Sequence, residues 1–168
     1  MLFRSLADAG QDVDNRNVLV WTGLVYLCGV VAIGVAAWSS DRLVERRWHC
    51  VFGLTLATVG LCLSVIPGQP WMMVFLWLCV AGFGAFFWIP PFWAMPTSTL
   101  TASTAAVAVG VINMCANLAG LFGSPIVGGM KDAGLGDQAC LIFLASCYAL
   151  GAAIIAMVPL PAKVGRTE

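Results

Sequence analysis

Two asparagines, Asn113 and Asn117, stand inside an uncharged run that covers 104–130. Four residues apart on a helix, they share one face, one turn above the other. An amide in hydrocarbon must find hydrogen-bond partners, so this face belongs against protein or a wet cavity rather than lipid. The two amides could donate to a carboxylate or hydroxyl of a small ligand. They could equally bond a neighbouring helix, a contact worth about 0.6 kcal/mol in membrane helix pairs. Ala116, Gly120, Ser124 and Gly128 add a stripe of small residues at four-residue spacing, suited to close approach of another backbone. Pro125 is expected to bend or loosen the far end of the same helix. A second group gathers around Pro96, where Trp93 offers an aromatic wall and Thr97 and Ser98 offer hydroxyls.

The charged side chains lie elsewhere. Asp41, Arg42, Glu45, Arg46 and Arg47 crowd one short segment together with His49, the single histidine of the chain. No long apolar run contains a charged residue. Seven cysteines are spread singly, with no CxxC and no Cys/His cluster at metal spacing. A disulfide framework, a metal site and a cofactor are therefore not expected. No nucleophile–base pair is present either, so the residues suggest no enzyme chemistry.

The elements that must position these groups follow from composition. Hydrophobic residues make up 61% of the 168 and charged residues only 10%, against about 25% charged in ordinary soluble domains. So much apolar surface needs lipid as its solvent. Lys plus Arg equal Asp plus Glu, which leaves no basic footprint for nucleic acid. Uncharged runs at 18–38, 50–66, 71–95, 104–130 and 139–159 come near the roughly 20 residues that cross a bilayer. They predict an all-α, polytopic membrane bundle of five helices, a single membrane domain over 1–168. A β-barrel would alternate over segments of about ten residues, and these runs do not. The third run carries Trp71, Phe75, Trp77, Phe83, Phe86, Phe87, Trp88, Phe92 and Trp93, most of them expected to face lipid or to form an interfacial belt.

Orientation follows the distribution of Lys and Arg. Arg42, Arg46, Arg47, Lys163 and Arg166 fall on one side, and Arg4, Arg16 and Lys131 on the other. The tight arginine cluster places its own side and the C-terminus in the cytoplasm, with the N-terminus extracytoplasmic. The polar start, with Asp8, Asp12 and Asp14, lacks the basic residues and short apolar core of a signal peptide.

Segment 41–49, Asp41-Arg42-x-x-Glu45-Arg46-Arg47-Trp48-His49, resembles the cytoplasmic loop between helices 8 and 9 of major facilitator superfamily transporters. The likeness is closest to the anion:cation symporter branch, which includes permeases for tartrate, phthalate and hydroxyphenylacetate. Phe92-Trp93-Ala94-Met95-Pro96-Thr97 looks like that branch's helix-10 ending. Ala105-Ala106, Ile112-Asn113 and the stretch from Asn117 through Gly120 and Gly123 to Pro125 look like its helix-11 signature. Lys131-Asp132-Ala133-Gly134 resembles the loop that follows.

The resemblance implies helices 8 to 12 of a twelve-helix permease in a plasma (inner) membrane. It implies uptake of a small carboxylate with a proton, by alternating access between two helical halves. Asn113, Asn117, Trp93 and Ser98 would contact the substrate. Asp41, Arg42, Arg46 and Arg47 would form a cytoplasmic gate latch, the acid neutralising a helix N-terminus in the other half. The family's intramembrane acid and arginine belong largely to that N-terminal half, so the chain is expected to need it and to be inactive alone. The alternative is a non-transporting fragment or partner subunit that only assembles with other helices. Two departures stand out: Val44 and Ala37 occupy positions where the family has glycine.

Overall fold

In a computed structural model the described residues are 15–158, with side chains described from residue 19 onward. The polar start, Arg4, Arg16, Lys163 and Arg166 lie outside these side chains, as does the expected end of the last span at residue 159. Six helices follow in order: α1 (Asn15–Leu43), α2 (Arg47–Ser64), α3 (Trp71–Phe87), α4 (Ile89–Thr99), α5 (Ala102–Asp132) and α6 (Gly136–Met157). Among the described residues every regular element is helical, and five helical stretches are long and apolar enough to cross a membrane. The all-α membrane bundle expected from composition is what the chain forms.

The third stretch, Trp71–Thr99, is interrupted. Helix α3 stops at Phe87 and α4 restarts at Ile89, with Pro90 and Pro91 in its first turn. Two consecutive residues without N–H groups cannot continue a helical ladder, yet they suit a helix start. At the far end of α5, Gly134 takes the left-handed backbone (φ 74°). Its N–H reaches the Lys131 carbonyl at 3.0 Å, and the Leu135 N–H reaches Met130 at 3.1 Å, the paired bonds of a glycine-terminated helix. The helix itself continues through Pro125.

Helix α2 lies at the centre, against α3 on one side and α6 on the other, and α1 packs on α3. Small residues set the α2–α3 approach. A Cβ added to Gly60 would sit 2.5 Å from the Ala81 nitrogen, and one on Gly53 2.9 Å from the Trp88 nitrogen. One on Gly84 would sit 2.6 Å from the Gly53 carbonyl oxygen. Backbones that close gain dispersion contact, the main attraction between helices in lipid. Ala32, Ala36 and Phe87 form one core cluster with Phe83 and Phe86. Leu61, Ala81 and Ala145 form another with Leu141 and Tyr148. Large apolar side chains such as Leu19, Val30, Met72 and Leu150 point outward, as a lipid-solvated surface requires.

The aromatics of the third stretch pack inward more than their composition suggests. None of the nine is fully exposed, and Phe87 is buried. Trp21 meets Trp71 and Phe75 edge-on, Phe83 stacks on Phe87, and Phe92 lies edge-on to both Trp88 and Trp93. Their place is between helices rather than mainly toward lipid, because edge-on pairs gain from quadrupole geometry as well as area.

Candidate functional site

The two ends of the bundle differ in chemistry. At one end the α1–α2 connection meets the end of α4 and the end of α6. Arg46 is paired with Asp41 at 3.8 Å and donates through Nη1 to the Ala94 carbonyl on α4. Arg47 donates to the Val158 carbonyl at 3.1 Å. Arg42 lies over the Trp38 ring at 4.7 Å and Arg47 over the Trp48 ring at 4.9 Å. The four residues expected as a gate latch are thus tied to three helices of their own chain. Within the connection Val44 takes a positive φ of 50°, the conformation for which the family's glycine is suited and a β-branched residue is not.

The opposite end is held by amides. Gln69 donates to the Leu63 carbonyl at 2.8 Å and the Ile66 carbonyl at 3.2 Å, closing the end of α2, and accepts from the Trp77 indole at 3.0 Å. Gln138 reaches the Val65 carbonyl at 3.5 Å, and Lys131 pairs with Asp137 at 3.2 Å.

Between the ends, α5 stands apart. Ala105 is its one buried residue, and Ala108 and Ile112 continue the face turned toward α4 and α6. Asn113 and Asn117 are both exposed, and the Asn117 amide donates to the Asn113 carbonyl of its own helix at 2.8 Å. At 3.6 residues per turn these two lie about 100° and 140° around the axis from Ile112. Gly120 and Ser124 fall on the same side, and nothing lies within 4 Å of a Cβ placed on Gly120 or Gly128. The small stripe therefore packs against nothing among the described residues. The packing it was expected to supply comes instead from Gly53, Gly60 and Gly84.

Trp93 is half-buried against Phe92, and Ser98 is exposed with its hydroxyl turned back to the Met95 carbonyl at 3.0 Å. A cavity of about 290 Å³ opens beside them, lined by Phe92, Met95, Thr99, Ala108 and Ile112, with Arg47 its one charged wall. None of Asn113, Asn117, Trp93 and Ser98 lines it. The structure therefore brings the asparagines to one helix face but does not gather the four residues in one pocket. Sequence reasoning also missed the buried hydroxyl of Ser40 and the buried indole N–H of Trp88, both without hydrogen-bond partners among the described residues. Neither residue lies in a motif that would have signalled it.

Proteins similar to the chain are transporters. It is 37% identical over 103 residues to "Putative tartrate transporter" of Agrobacterium vitis, covering 61% of this chain and 23% of that protein. It is 28% identical over 159 residues to "Putative metabolite transport protein NicT" of Pseudomonas putida, covering 95% of this chain and 36% of the relative. It is 30% identical over 111 residues to "MFS transporter prlL" of a fungal species, covering 66% and 22%. No family model and no solved structure matches. The chain is a multi-pass membrane protein related to the transporters of the major facilitator superfamily. It spans between 22% and 36% of the length of these three relatives.

Proposed function

We propose that the chain forms one side of a transporter for a small organic anion, a carboxylate taken up together with a proton. On this reading its five spans correspond to helices 8 to 12 of a twelve-helix permease. The observation that carries it is the free side of α5, where Asn113, Asn117, Gly120 and Ser124 face away from the other described helices. Polar amides and missing side chains on a midspan helix face suit a wet path bounded by a second group of helices. Trp93 and Ser98 would reach the same path near the end of α4. The tartrate and metabolite transporters among the relatives support a small organic cargo.

The arginine-rich end would face the cytoplasm and the Lys131 end the outside of an inner membrane. A carboxylate in midspan needs a counter-charge and a proton carrier. Among the described residues the charged side chains sit near helix ends, so a complementary N-terminal half would supply both. That distribution also favours a second reading, a subunit that assembles with other helices without transporting by itself.

Uptake of labelled tartrate, phthalate and hydroxyphenylacetate decides between them. Cells making the chain alone should show background uptake, and cells also making helices 1 to 7 of a related permease should accumulate at least one substrate. Background uptake in both would favour the non-transporting subunit, and uptake by the chain alone would refute the need for a second half.

A further inference from the structure

The arginine end carries a feature that transport leaves unused. The 290 Å³ cavity between α4, α5 and α6 is walled by apolar side chains, among them Phe92, Met95, Leu100 and Ile112, with Arg47 as its one charged wall. It lies at the lower edge of the range for small-molecule sites and offers almost no polar group to orient a soluble ligand. Arg47 and Arg42 have no acidic partner among the described residues, since Asp41 is taken by Arg46 and Glu45 accepts from the Trp48 amide at 3.4 Å. Both guanidinium groups lie instead over tryptophans that are more than half exposed, Trp38 and Trp48. Exposed tryptophan and arginine at a helix end mark the level of the lipid headgroups.

We propose that this end of the bundle holds an anionic phospholipid, its phosphate on Arg47 and part of one acyl chain in the cavity. A guanidinium with no acidic partner among the described residues, at headgroup depth, is attracted to an anionic leaflet, and its planar donors match a phosphate. The apolar walls beside it meet hydrocarbon without leaving a polar group unsatisfied. The occupant is a lipid rather than a free anion because only the mouth of the cavity is polar. The proposal is independent of transport and stands or falls without it.

The test uses the full chain, synthesised cell-free into phosphatidylcholine vesicles that carry a trace of photoactivatable phosphatidylglycerol or photoactivatable phosphatidylcholine. Cross-links are mapped by mass spectrometry. Phosphatidylglycerol should label peptides around Thr99, Leu100 and Ala108 at least fivefold more than phosphatidylcholine does. Arg47→Lys should keep most of that preference, and Arg47→Gln should bring it near unity. Ala108→Phe, which fills the cavity and leaves Arg47 alone, should lower labelling there by both lipids. Excess glycerol phosphate should not compete. Equal labelling by the two lipids, an unchanged preference in Arg47→Gln at wild-type helicity, or displacement by glycerol phosphate would each overturn the proposal.

Discussion

Val44 holds a left-handed backbone (φ 50°) in the connection between the first two spans. A β-branched residue there costs about 1–3 kcal/mol in strain. Glycine would remove that strain while losing about 0.5–1 kcal/mol through greater freedom of the unfolded chain. Val44→Gly should therefore raise stability by about 1 kcal/mol, read as a higher midpoint of thermal unfolding in detergent. An unchanged or lower midpoint would mean that this backbone conformation is not held in the protein. Here the sequence was informative, because a valine in a glycine position of the resembled loop pointed straight at the strained residue. The asparagines were less legible. Their shared face follows from helical spacing, but nothing in the spacing tells that Asn117 closes on the Asn113 carbonyl.

At the level of helices, one chemical pattern met two different fates. Gly53, Ala57 and Gly60 on α2 and Ala116, Gly120, Ser124 and Gly128 on α5 are both stripes of small residues at helical spacing. Among the described residues only the first meets a partner, at the small residues Ala81 and Gly84 of α3. A stripe announces that a backbone can come close but not which backbone does, so periodicity could not choose between them. The break at Trp88, by contrast, went unread: 71–95 was expected as one span, although Pro90 and Pro91 lack the N–H groups that a continuous helix needs, and the helix then runs on through Pro96. The asymmetry of the stripes has a measurable consequence. Gly60→Val pushes a branched side chain into the α3 backbone and should destabilise the chain by about 1–3 kcal/mol or prevent its folding. Gly120→Val meets open space and should leave the melting of the chain alone unchanged, while lowering any uptake restored by helices 1 to 7. Equal destabilisation by the two variants would place a partner on α5 within this chain.

For the molecule as a whole, the order of helices fixes which groups share an end. Arg47 bonds to Val158, and Arg46 to Ala94, so the α1–α2 connection, the end of α4 and the end of α6 lie together. Gln138 bonds to Val65, and Lys131 to Asp137, so the α2–α3 and α5–α6 connections lie at the other end. A bundle of five spans in a bilayer must then expose these two ends on opposite sides. The first end holds Arg42, Arg46 and Arg47 in a short connection, the second Lys131 and, at the start of α1, Arg16. Short basic connections stay cytoplasmic, and this sets the expected sense. The test replaces the seven cysteines by alanine and introduces Asp41→Cys or Leu135→Cys, both exposed positions. An impermeant maleimide added to intact cells should label Leu135→Cys and not Asp41→Cys, and inverted vesicles should reverse the pattern. Labelling of both from one side would break the five-span arrangement. Clean labelling in the reversed sense would keep the bundle but turn the arginine end outward, and would rule out the expected cytoplasmic latch at Asp41, Arg42, Arg46 and Arg47.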